Sequence, residues 1–184
     1  FSDKRVEDIR NFGNKIWNAS RFVIMNLEGY EPAPLEERSP RLGDRWILSR
    51  LNRLIATVNE GFATYEMNDA ARGLYEFLWS EYCDWFIELA KPRLREDGDE
   101  KARAQGVLYS VLETTLRLLH PIMPFITEEI WQALPHEGGF LMTARWPEYR
   151  EELNFTPEAD AMEAVMDAIK AVRARRAELN VPPS

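Results

Sequence analysis

The sequence predicts an all-α protein, a helix bundle carrying a small C-terminal junction of short extended segments and one helix. Three observations carry that prediction. Apolar residues recur at three-four spacing through several long stretches, the pattern of a helix with one buried face. Segments holding Pro and Gly, at 29–43, 92–99, 120–124 and 136–155, separate those stretches. The stretch 68–91 (NDAARGLYEFLWSEYCDWFIELAK) is apolar around most of its circumference, as a helix enclosed by other helices is.

Each element has its own reason. The first helix spans 1–28, capped by Ser2 or Asp3, with Ile9, Phe12, Ile16, Ser20, Val23 and Leu27 as its buried stripe. An acidic loop with Gly29, Pro32, Pro34 and Pro40 follows. The second helix, 44–65, buries Trp46, Leu51, Leu54, Ile55, Val58 and Phe62. The central helix starts with Asn68 and Asp69 as caps and ends before Pro92. Its main face is Leu74, Phe77, Leu78, Tyr82, Trp85 and Leu89. The next helix, 100–119, buries Val107, Leu108, Val111, Leu112, Leu116 and Leu119. His120 and Pro121 interrupt it, and a short helix 125–134 follows. Phe140 to Met142 and Ala144 to Pro147 read as extended. Thr156-Pro157 starts the last helix, with Thr156 as cap and Met162, Val165, Met166, Ile169 and Val172 as its face. The division that follows is a bundle at 1–135 and a junction at 136–184.

Composition narrows the function. A formal net charge of −8 argues against a general, sequence-blind nucleic-acid binder, though not against a local basic site. A single Cys allows no internal disulfide and fits a reducing, cytoplasmic compartment. No apolar run is long enough for a membrane span, and no signal-peptide pattern is present, so no membrane partner is expected. The chain begins at Phe1 rather than Met, which suggests a piece of a longer protein. Phosphate-binding Gly loops, HExxH, CxxC and a nucleophile elbow are all lacking. His120 and His136 stand alone, and Cys83 sits among aromatics as a small buried hydrophobe. Neither a catalytic residue nor a metal site can be assembled, so binding is favoured over catalysis. The ring of His120 is expected to bond a backbone group at the helix break.

Two features suggest a binding face. Lys4, Asn11, Lys15, Asn18, Phe22 and Met25 lie opposite the stripe of the first helix, and residues 4–22 hold five Lys/Arg against two Asp/Glu. Phe22, off the stripe among amides and cations, is either covered by another segment or a platform for unpaired bases. On the central helix Glu81, Asp84 and Glu88 share one side. They either pair with cations from neighbouring helices or offer an acceptor to a ligand. The basic end of the last helix, Lys170, Arg173, Arg175 and Arg176, complements its dipole.

Several segments in order resemble a known family: RNFGNKIWNASRFV (10–23), GDRWILSRLN (43–52), SEYCDWFIELAKPRL (80–94), LLHPIMPFITEEIWQAL (118–134) and ARWPEY (144–149). Together they are similar to the C-terminal, tRNA-binding half of class I valyl-tRNA synthetases, over essentially the whole chain. The HPIMPFITEEIW segment is shared with isoleucyl and leucyl enzymes, whereas the WNASRF and CDWFIELAK segments look valyl-type. The closing RARRAELNVPPS resembles the junction leading to that family's coiled coil, absent here. The resemblance implies an anticodon-binding helix bundle, monomeric and cytoplasmic. Its partner would be valine-accepting tRNA. Aminoacylation with ATP and Mg would reside in an upstream domain bearing HIGH and KMSKS, neither of which occurs here, so this piece alone is expected to be non-catalytic and without a cofactor. By the same resemblance Lys15, Asn18 and Phe22 on the first helix and Ile87 and Glu88 on the central helix contact the anticodon. Phe22 would stack on a base, Lys15 would bond a base edge or phosphate, and Glu88 would accept from a cytosine amino group. Two alternatives remain open: an isoleucyl-type domain, or a helical protein-interaction module using Phe22 as an anchor.

Overall fold

Buried stripes organise the chain into packed helices. The computed structural model describes residues 3–32 and 41–181. Its α-helices are α1 (Asp3–Met25), α2 (Leu42–Ala63), α3 (Met67–Glu76), α4 (Ile87–Ala90), α5 (Asp99–Leu119), α6 (Pro124–Ala133) and α7 (Thr156–Glu178). A π-helical segment, Phe77–Phe86, joins α3 to α4 without a break, so residues 67–90 form one continuous central helix. The expected cap at Ser2, the prolines and glutamates of 33–40 and the closing Pro182-Pro183 lie outside the described residues.

The stripe of Phe12, Ile16, Ser20 and Val23 on α1, with Leu27 just past its end, is buried as expected, whereas Ile9, about one turn nearer the N-terminus than Phe12, is exposed. The first turns of α1 therefore extend past the bundle that covers the rest. In α2, Trp46, Leu51, Leu54, Ile55 and Val58 are buried, and this helix touches α3, the π segment, α5 and α7. Gly61 permits its tight junction with α3: a Cβ there would lie 3.1 Å from the Ala70 Cβ. Asp44, in the first turn of α2, is fully buried against Arg93 through bonds of 2.6 and 3.0 Å. This pair ties the start of α2 to the turn after the central helix. Breaking such a pair by removing one partner costs about 3–5 kcal/mol.

The central helix departs from its expected phase. Leu74, Phe77, Leu78 and Tyr82 are in the core, but there they are joined by Phe86, Ile87 and Ala90. Trp85 is only half-buried and Leu89 is 39% exposed. The cause is the π segment, whose Tyr82 carbonyl accepts from the Ile87 amide five residues on. Steps of four drift by roughly 40° each on an α-helix, and the wider π turn absorbs that drift. The buried set 74-78-82-86-90 thereby stays on one line. The start also differs: Glu66 occupies the cap position without a side-chain bond, and Asn68 and Asp69 lie inside the first turn, Asp69 pairing with Arg72 at 2.6 Å.

Helix α5 buries its expected stripe, and Tyr82 donates from its hydroxyl to the Leu108 carbonyl at 2.9 Å. The His120 ring meets the Thr127 hydroxyl at 2.8 Å, a side chain rather than the expected backbone group. Thr127 in turn donates toward the Met123 carbonyl, so the two residues fasten the break between α5 and α6. Of the segments expected to be extended, Phe140 and Ala144 have extended backbone, Leu141–Thr143 between them is a 3-10 turn, and 145–150 has no regular structure. That irregular stretch is pinned to α2. Asn52 exchanges two bonds with the Arg150 backbone at 2.8 and 2.9 Å, and Trp146 donates to Asn59 at 2.6 Å. Phe155, not Thr156, holds the cap position of α7, and Thr156 is its first residue. Helix α7 lies along α2 through Ala159, Met162 and Met166, while Val165, between two buried methionines, points off the packed side and Val172 is exposed where α7 outruns the surface it packs on.

Candidate nucleic-acid interface

The apolar stripe of α1 faces the bundle, and one edge of it, with polar groups outward, runs beside the central helix. Lys15 sits at that edge. Its Nζ is 2.7 Å from Oδ1 of Asp84 and 3.9 Å from the centre of the Trp79 ring. Trp79 stacks on Tyr75 at 5.6 Å, and Tyr75 leans on Phe12 at 4.8 Å. A continuous aromatic run thus backs the ammonium. The π geometry makes this meeting feasible. Residues five apart on an α-helix point about 140° away from each other. The wider turn of an i→i+5 helix narrows that angle, and Trp79 and Asp84 are five apart.

Two turns along α1, Phe22 is half-buried and packs on the core. The Lys91 ammonium lies 5.7 Å over its ring and also bonds Glu88 at 2.5 Å. Asn18, between Lys15 and Phe22, is exposed and has no side-chain partner among the described residues. The five residues implicated by sequence therefore fall on neighbouring stretches of two packed helices. Ile87 is the exception in kind: at 5% exposure it belongs to the core and supports the face from beneath. Trp79, Asp84 and Lys91 join the face. Nothing in the sequence singled out Trp79 or Lys91, because their places depend on the π segment and on helix packing.

The three carboxylates of the central helix all meet cations. Glu81 forms a two-pronged pair with Arg50 at 2.7 and 2.8 Å, and its hydrogen bond holds the guanidinium above its ordinary value. Asp84 and Glu88 pair with Lys15 and Lys91. The face is therefore less basic than a count of Lys and Arg on α1 suggests. Beside it, burial pushes the Cys83 thiol up to about 12 against the opposing pull of Lys15, so the side chain behaves as a small hydrophobe. Arg173 of α7 lies 5.5 Å over the Trp85 ring, a contact beyond the dipole role expected of that basic end. Among the described residues no group of three or more His, Cys, Asp and Glu side chains is arranged to hold a metal ion.

A face of paired cations and aromatics between two helices suits unpaired nucleotides, and the comparison with known families is decisive. The family of the anticodon-binding domain of tRNA ligases matches residues 44–184. The chain belongs to that family. Helix α1 precedes the matched span, yet whole-chain relatives include it. A valine–tRNA ligase of Carboxydothermus hydrogenoformans is 52% identical over 184 residues, covering 100% of this chain and 21% of the relative. One from Geobacillus kaustophilus is 50% identical over 187 residues, with the same coverage of 100% and 21%. The chain spans about a fifth of the length of these relatives. Among solved structures, a LeuRS of Agrobacterium radiobacter K84 in a ternary complex with tRNA and LeuAMS superposes with a TM-score of 0.65. That match covers 84% of this chain and 18% of the other at 18% identity, and it shows the shared fold. This anticodon-binding domain is thus a helix bundle, as its sequence predicts.

Proposed function

We propose that this domain grips the anticodon of a valine-accepting tRNA, as one part of a monomeric cytoplasmic valine–tRNA ligase. The carrying observation is the convergence of Lys15, Asn18 and Phe22 on α1 with Asp84, Glu88 and Lys91 on the central helix. Phe22 offers a ring face to a base once Lys91 moves aside. Glu88 offers an acceptor to an amino group, the pairing a carboxylate suits. Asn18 supplies an amide that can both donate and accept. Under this reading the chemistry of amino-acid activation, with ATP and Mg, belongs to parts of the relatives outside the fifth matched here. This chain's role is to bind and orient.

The test is gel-shift binding of the chain to valine tRNA and isoleucine tRNA at two salt concentrations. Preference for valine tRNA at both salts is the expected result. Equal binding that vanishes as salt rises would reduce the face to a non-specific phosphate surface and overturn the reading. Recovery of protein but no RNA in a pull-down would favour a protein-interaction module instead.

A further inference from the structure

Asp84 enters the face so far only as the partner of Lys15, yet its position is unlike that of an ordinary surface partner. An exposed ion pair contributes only about 0–1 kcal/mol to stability, so the fold does not need it. Here the lysine is the more buried member: its side chain is 23% exposed and that of Asp84 52%. The stem of Lys15 is held because its ammonium rests on the Trp79 ring, itself braced by Tyr75. The rotamer freedom that a lysine normally surrenders on binding is therefore largely given up already.

This arrangement decides what Lys15 meets. An ammonium has three donors. One is used on Asp84 Oδ1 and one side faces the ring, which leaves a donor for a ligand. The second oxygen of Asp84 has no partner among the described residues and remains an acceptor. A phosphate approaching Lys15 would be repelled by the adjacent carboxylate and could donate nothing to it. A base edge offers both a donor and an acceptor. The pair is neutral as a unit, so it does not draw in phosphates from a distance.

We infer that Asp84 is a specificity-determining residue that acts with Lys15 as one neutral donor–acceptor pair reading the edge of an unpaired base. Trp79 is the residue that positions the ammonium. The inference rests on the proposed anticodon function. A fixed order of donor and acceptor separates C from U and A from G, because an amino group in one is a carbonyl in the other.

The experiment measures dissociation constants of the chain for a valine anticodon hairpin and for hairpins with one anticodon base exchanged, A to G or C to U, across a KCl series. The proteins are the parent, Lys15→Met, Asp84→Asn, the double variant, Trp79→Leu and Trp79→Phe. Asp84→Asn is expected to lower discrimination at one anticodon position by roughly 5- to 150-fold. Lys15→Met should do the same, and the double variant should lose no more than either single. Trp79→Phe should retain discrimination that Trp79→Leu loses. The salt slope for Lys15→Met should match the parent, since each lost phosphate contact to a single strand flattens it by about 0.7. Two further measurements separate a structural cause. Melting temperatures should stay near the parent's, and the Lys15 ε-methylene protons should be shifted upfield by the Trp79 ring in the free protein and not in Trp79→Leu. Unchanged discrimination in Asp84→Asn beside a discriminating parent overturns the inference alone. So does a flattened salt slope in Lys15→Met. A parent that shows the upfield lysine but no anticodon preference overturns the functional reading and this inference together.

Discussion

Phe22 shows how one side chain serves both packing and binding. Part of its ring rests on the core and part lies under the Lys91 ammonium. A cation at that distance over a ring is worth about 0.5–1 kcal/mol at an exposed site, less than the roughly 1–3 kcal/mol of a stacked base. A base should therefore displace Lys91, which keeps its bond to Glu88 as it moves. Phe22→Ala is expected to weaken tRNA binding by roughly 5- to 150-fold. It should cost about 1–2 kcal/mol of stability, below the about 3–5 kcal/mol of a fully buried Phe. Binding titrations corrected for the folded fraction, beside urea melts, read the two effects separately. Affinity per folded molecule unchanged from the parent would make Phe22 a packing residue only.

At the scale of the element, the π-helical segment is the feature with the widest consequences. It keeps Tyr82 and Phe86 in the core, turns Trp85 and Leu89 outward, and brings Trp79 and Asp84 to the same ammonium. A plain α-helix reading assigns Trp85 to the core and expects its loss to cost about 3–5 kcal/mol. The structure instead places Trp85 half-buried beneath Arg173, so Trp85→Ala should cost only about 1–2 kcal/mol. Phe86→Ala, at a fully buried site, should cost about 3–5 kcal/mol. Chemical denaturation of the two variants checks the order. The reverse order would mean that the central helix keeps α phase through residue 86.

For the whole molecule, the buried acids set a limit on the alkaline side. Burial pushes the Cys83 thiol from 9.0 to about 12, and the Tyr109 phenol from 10.0 to about 12. Burial also holds Tyr82 well above its ordinary value. Below pH 9 both folded and unfolded chains keep these protons, and the stabilisation is complete. As pH rises from 9 toward 12 the unfolded chain releases protons that the folded one retains, so stability falls with pH. Urea midpoints should hold level up to about pH 9 and then decline, and Cys83→Ala with Tyr109→Phe should make that decline shallower. A midpoint unchanged well above pH 10 would contradict the burial of these groups. The 136–155 stretch, read from sequence as the start of a separate junction, is pinned to α2 by Asn52 and Asn59. We expect it to melt with the bundle.

Much of this protein is determined by local sequence. Three-four apolar spacing marks the helices and most of their buried residues, because a stripe must be covered wherever it occurs. Pro and Gly mark the breaks, since one lacks an amide proton and the other tolerates any turn. The off-stripe position of Phe22 was legible for the same reason, whereas the shared side expected of Glu81, Asp84 and Glu88 assumed α phase, and Glu81 turns to Arg50 of α2 while Asp84 turns to Lys15 of α1. Tertiary structure alone decided the rest. The π segment has no local signature, because its wider turn is held by the packing of Tyr82, Phe86 and Ala90 against neighbouring helices. From that packing follow the exposure of Leu89, the meeting of Lys15 with Asp84 and Trp79 across 69 and 64 residues of chain, and the neutral character of a face that composition presents as basic. Charge and periodicity act along the chain, whereas a donor–acceptor pair exists only where two helices bring its halves within hydrogen-bond distance.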